Sequence, residues 1–294
     1  MEDRQGAPEE RRVKRLRRFL LPAVGLVLLA TYLLVTGPSE LPDDAAGGAT
    51  IPAETALALL DAESAAIRTL YAREIVGEGS RQKLAFNENW RQRSVAAGPV
   101  PAQLLRVTAQ RLQARVPGLT LSLGSDFPLL QEDLFTGAQA ALYQEVKKSL
   151  EPRFHYDPAS RRTMAMFPDR ASTEACVNCH NRHPGAAKQD WVLSESMGAT
   201  VWSYSGRRVT PEATLRMLDA LRESAVEAYG AYLQKVAHFE PPARPAVGEL
   251  WPRDGFYLPD QESFRQALEN QNSAATLNRL FAAVTPRPVK RASK

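Results

Sequence analysis

Cys176-Val177-Asn178-Cys179-His180 sets two thiols three positions apart, with an imidazole directly after the second. Two thiols at this spacing can add across the two vinyl groups of a haem, and the following histidine then lies under the iron as its proximal ligand. The motif therefore predicts one covalent haem c, with Cys176, Cys179 and His180 binding the cofactor and His180 ligating the metal. The chain has only these two cysteines, which excludes a disulfide framework on count. A zinc site would need a second cysteine pair, or a Cys2His2 set from His180 and His183 in a finger-like context that the flanking sequence lacks. A redox dithiol would need a preceding βαβ strand. For the opposite face of the iron the candidates are His155, His183, Met164, Met166 and Met197, or no protein ligand. His155 is preferred, because its strand can face the haem.

Thioether attachment of haem is made outside the cytoplasm, and the N-terminus agrees. Phe19 to Thr36 is a run of 18 residues without charge, within the roughly 17–25 that span a bilayer as a helix. Arg11, Arg12, Lys14, Arg15, Arg17 and Arg18 crowd its N-terminal side, which predicts a cytoplasmic N-terminus and an exported remainder. A cleaved signal peptide is the rival, but the run is long for one and Val35-Thr36-Gly37 is a poor cleavage site.

The elements that must position the motif follow from periodicity. Glu54 to Glu78 repeats apolar residues at helical spacing, as do Pro101 to Val116, Gly137 to Leu150 and Pro211 to His238. Leu119–Leu123, Arg153–Tyr156, Thr163–Phe167 and Gly198–Tyr204 read as strands, the middle two joined as a hairpin at Asp157-Pro158-Ala159-Ser160. A last helix is expected over Gln261 to Val284. The domain plan is a cytoplasmic basic segment (1–18), a transmembrane helix (19–36), a linker (37–52), a haem domain (53–206), a helical extension (207–284) and a disordered basic tail (285–294).

The stretch Asp169-Arg170-Ala171-Ser172, Cys176 to Asn181, His183-Pro184, Lys188 and Asp190-Trp191 resembles a known family. It is similar to the extracytoplasmic, PAS-like c-type haem domains first catalogued as a domain of unknown function, found alone or as input modules of bacterial histidine kinases. The resemblance runs from about Ile67 to Tyr204. It implies an α+β, PAS-like haem domain with flanking long helices, with thioethers at Cys176 and Cys179 and iron on His180. The chain departs from the family at Trp191 to Gly198, where W-x-x-G-D-x-R-G is common, and at Met164-Ala165-Met166, where R-Y-A is frequent.

Net charge is +4. The positive excess lies in the two termini, which gives no basic patch for nucleic acid. The expected protein is thus a single-pass inner-membrane cytochrome with its haem domain in the periplasm. Its expected role is one-electron transfer to membrane partners. The alternative is a haem-based redox or gas sensor acting through a separate partner protein. An enzyme is not expected, since no distal acid or base is identifiable. The bilayer, a redox or signalling protein, and a second copy met through the flanking helices are the expected partners.

Overall fold

The computed structural model describes residues 49–171, 174–241, 243–248 and 257–271. The chain divides into two compact units, Met1–Gly47 and Gly48–Lys294, and the described residues all belong to the second.

Among the described residues, six helices of nine residues or more and four strands of five residues or more position the motif. Helix α1 spans Ala53–Leu70, α2 Pro101–Arg115, α3 Gly137–Ser149, α4 Glu174–Arg182, α5 Pro211–Val236 and α6 residues 261–271. The strands are β1 Leu119–Gly124, β2 Arg153–Asp157, β3 Arg162–Arg170 and β4 Ser196–Ser205. They form one antiparallel sheet in the order β1-β4-β3-β2. The strand alternation read from the sequence therefore holds, with β3 and β4 each longer than expected.

Alternation along the central strands builds two cores, one on each face of the sheet. Ala165, Phe167 and Trp202 face α1, α2 and α5 in the larger core. Met166, Ala199 and Val201 face α3, where Tyr143 and Val146 cover them. Buried on both faces, β4 reads as a nearly continuous buried strand.

Helix α5 starts at a prepared N-terminus. The Thr210 hydroxyl accepts the Ala213 N–H at 3.1 Å, and Pro211 occupies the first turn, where its missing N–H costs nothing. Its apolar stripe packs Met217, Leu218, Leu221, Ala225, Tyr229 and Tyr232 into the same core as Leu57, Leu60 and Ile67 of α1. The flanking helices thus bury their apolar faces against one another within the chain. The expectation that those faces make a homodimer is corrected for that reason. Helix α1 does not run on regularly to Glu78: Tyr71–Gly77 is a π-helical stretch, and the Tyr71 hydroxyl inside it donates to Pro99 O at 2.7 Å.

The membrane expectation is corrected as well. No helix among the described residues is long and apolar enough to cross a membrane, and Phe19–Thr36, where the span was placed, lies outside them. The described residues form an α+β fold with no such helix, so they do not support the bilayer contact or the single-pass inner-membrane topology predicted from the N-terminus. The basic segment, most of the linker, the end of the last helix and the basic tail also lie outside the described residues.

Candidate functional site

The cysteine motif lies in the crossover between β3 and β4, on α4. Sequence periodicity left this stretch unassigned, although Ser172-Thr173-Glu174 before it is the kind of polar run that starts a helix. The base of the crossover is closed by backbone hydrogen bonds, Ala171 N–H to Glu195 O and Ser194 N–H to Ala171 O, each 2.9 Å. A nine-residue helix is marginal alone, so its position depends on these and further contacts.

Two such contacts involve residues just after the motif. Asn181 meets the backbone of Trp191 twice: its Nδ2 donates to Trp191 O at 3.0 Å and its Oδ1 accepts the Trp191 N–H at 2.8 Å. His183 Nδ1 accepts the Gly185 N–H at 3.0 Å, which leaves Nε2 as the nitrogen that donates to Glu88 at 3.1 Å. The Trp191 ring, thus anchored, packs with Ala171, Val177 and Met197, and Cys176 rests against that cluster. Lys188 Nζ stands 4.5 Å from the centre of the Trp191 ring.

Spacings of three and four put Cys176, Cys179 and His180 on one side of α4. Cys176 and His180 are half-buried and Cys179 is exposed, and the two thiols are not joined in a disulfide. Burial raises the Cys179 thiol above its usual range, and the carboxylate of Glu88 and the neighbouring Cys176 add to the rise. Burial lowers His180, against the opposing pull of Asp169 and Glu88, so its ring is neutral at neutral pH.

Behind α4, a polar line joins α1 to the sheet. Arg68 Nη2 donates to Asp169 Oδ1 at 2.7 Å, and the field of Cys176 also reaches this guanidinium. Two turns earlier, Asp61 Oδ1 accepts from Thr200 Oγ1 at 2.6 Å and from Trp202 Nε1 at 3.0 Å. Burial raises the Asp61 carboxyl, while these two hydrogen bonds and Arg68 partly offset the rise. The sequence offered no sign of Asp61 or Arg68, because their partners lie on strands 101 to 141 residues further along the chain.

Of the candidate distal ligands, His183 and Met197 lie beside the motif, whereas His155, Met164 and Met166 lie away from it. His155 is exposed on the edge strand β2, paired in register with Met164, roughly 20 Å of strand from the end of β3 where the crossover begins. Met164 and Met166 pack towards α3, and Met197 is the one methionine in the cluster that Cys176 touches. Among the described residues no group of three or more His, Cys, Asp or Glu side chains is placed to hold a metal ion. The described side chains thus do not present the ligand set expected for haem c. The expectation of a covalent haem ligated by His180 and His155 is corrected on these findings. With it go the membrane-anchored cytochrome and its alternative, the haem-based sensor. His238, at the end of α5, turns its ring back onto Gln234 O at 2.8 Å.

Comparison with family models, curated proteins and solved structures finds no match for the chain.

Proposed function

We propose that the chain is a binding module whose working surface is the Cys176, Cys179 and His180 side of α4, and that this surface takes a ligand that binds thiol sulfur. The observation that carries the reading is the placement of these three side chains together on a short helix fixed by polar contacts rather than by its own apolar burial. Val177 is the only fully described residue of α4 in the buried class, so packing alone does not explain why this segment is helical and fixed. Asn181, His183 and Trp191 supply the fixing. The role is binding rather than catalysis.

The resemblance of residues 169–191 to the c-type haem domain family stands beside this as a proposal of distant kinship. It is supported by the work that Asn181, His183 and Trp191 do in bracing α4. It does not extend to the cofactor.

Mass spectrometry of the full chain, isolated from its source and run under native and denaturing conditions, tests the proposal. Added mass on the wild type that disappears in Cys176→Ser/Cys179→Ser is the expected result. A wild-type mass equal to that of the bare polypeptide under both conditions overturns it. A loss of two hydrogens with no added group also overturns it, and makes the pair a redox dithiol.

A further inference from the structure

The two edges of the sheet are treated differently by the sequence. β2, at one edge, carries Arg153, His155 and Asp157, charged or titratable side chains of the kind that keep an edge from pairing with another chain. β1, at the other edge, reads Leu-Thr-Leu-Ser-Leu-Gly, with no charge, no proline and no bulge against its partner β4. Among the described residues β4 is its only neighbour in the sheet.

A new strand has already begun on that open side. Ser125 N–H donates to Asp133 O and Phe135 N–H donates to Ser125 O, each at 2.9 Å, making a parallel bridge from Ser125 to Leu134. This pairing stops at Ser125. Beside the rest of the strand lies a groove of about 360 Å³ between α2 and β1, whose walls include Leu105, Ala109, Leu121, Leu123, Leu134 and Phe135. Gln110, Gln113 and Gln139 also line it, and carboxamides can both donate to and accept from peptide groups. Ser122, in the middle of the strand, is exposed. At one end Arg106 pairs with Glu132 at 3.3 Å and with Asp133, so two carboxylates face one guanidinium.

We propose that this groove takes an extended peptide segment of a partner protein, which adds to the open edge of β1 as a further strand and sets a basic residue against Glu132. Strand addition needs an unpaired edge and pockets for alternate side chains, and β1 beside α2 offers both. The excess carboxylate at the Arg106 end selects a cationic residue there. This proposal does not depend on what α4 binds.

The probe is the blocked peptide acetyl-Lys-Thr-Val-Thr-Val-Thr-Val-amide, added to the full chain at about 1 mM, a concentration suited to weak strand addition. Amide exchange at Leu121 and Leu123, whose N–H groups point to the open side of β1, is expected to slow by about tenfold or more. A peptide with proline at the central valine should give no protection, because it cannot continue the ladder. A peptide with Glu in place of Lys should bind several-fold more weakly. Ala109→Trp, which fills the groove, should abolish protection. Glu132→Lys, at a side chain largely in solvent, should weaken the Lys peptide and favour the Glu peptide. Unchanged exchange with the Lys peptide, or equal protection by the proline control, overturns the proposal. Binding of benzamide at the groove with no binding of either peptide also overturns it, and makes the groove a small-molecule site.

Discussion

Asn181 holds the backbone of Trp191 through both ends of its carboxamide, donating at 3.0 Å and accepting at 2.8 Å. The pair spans the crossover, so one side chain ties the C-terminal end of α4 to the strand entering β4. Asn181→Ala removes both bonds and leaves a half-buried backbone N–H and C=O without their partner. The expected loss of stability is about 1–3 kcal/mol, read from the urea midpoint. Asn181→Asp keeps the acceptor and loses the donor, and should fall between. Exchange of the α4 amides should speed up in Asn181→Ala even where the global midpoint moves little. Unchanged exchange in α4 would remove the brace from the account.

The contact between α1 and α5 contains a buried ion pair. Glu63, fully buried, accepts from Arg222 Nε at 2.6 Å. Removing the guanidinium takes this charged partner away from a buried carboxylate. Arg222→Ala should therefore cost about 3–5 kcal/mol, whereas replacing both partners by apolar residues should recover much of that loss. Urea denaturation of Arg222→Ala and of Glu63→Leu/Arg222→Met compares the two. A double variant no more stable than the single would show that the pair contributes through packing and not through charge.

Asp61 gives the fold a pH dependence of defined sign. Burial raises its carboxyl above the usual Asp range, outweighing the hydrogen bonds from Thr200 and Trp202 and the charge of Arg68. A folded-state value above the unfolded one means that folding favours the protonated form. The associated stability is fully present below the unfolded value and is lost as pH rises through the folded value. Asp61→Asn keeps an acceptor for Thr200 and Trp202 and cannot ionise. Its stability relative to wild type should rise as pH climbs through and above the usual Asp range. Urea midpoints measured across that range check it, and parallel curves for the two proteins would contradict it.

Local signals in the sequence were enough for the strands and most of the helices. Leu119 to Leu123 alternates, and Pro211 opens a stripe of Leu218, Leu221 and Tyr229 that no other element fits. What no local pattern carries is a contact between distant segments. Thr200 meets Asp61 across 139 positions and Arg68 meets Asp169 across 101, so the polar line behind α4 has no signature in either segment. The π-helical stretch at Tyr71–Gly77 escaped for a related reason: it brings Tyr71 to Pro99 O, a partner on a separate segment. At the motif, the two cysteines and His180 were legible as a trio. The choice of His155 was not, because β2 pairs only with β3 and carries His155 along the sheet edge, away from the crossover.

Cys179 should behave as a slow thiol despite its exposure. Burial raises it first, and the Glu88 carboxylate and Cys176 raise it further, so little thiolate is present at neutral pH. Reaction with iodoacetamide at neutral pH should be slower than for an unstructured cysteine peptide, and should climb with pH past the usual thiol range. Glu88→Gln removes one of the two secondary causes while keeping an acceptor for His183 Nε2. Its Cys179 should react about two- to fivefold faster at fixed pH, a range set by one carboxylate acting through a partly solvated path. Cys176→Ser should shift the rate in the same direction. Peptide mapping after timed alkylation separates Cys179 from Cys176. If Glu88→Gln leaves the Cys179 rate and its pH profile unchanged, Glu88 does not act on this thiol, and burial alone sets its reactivity.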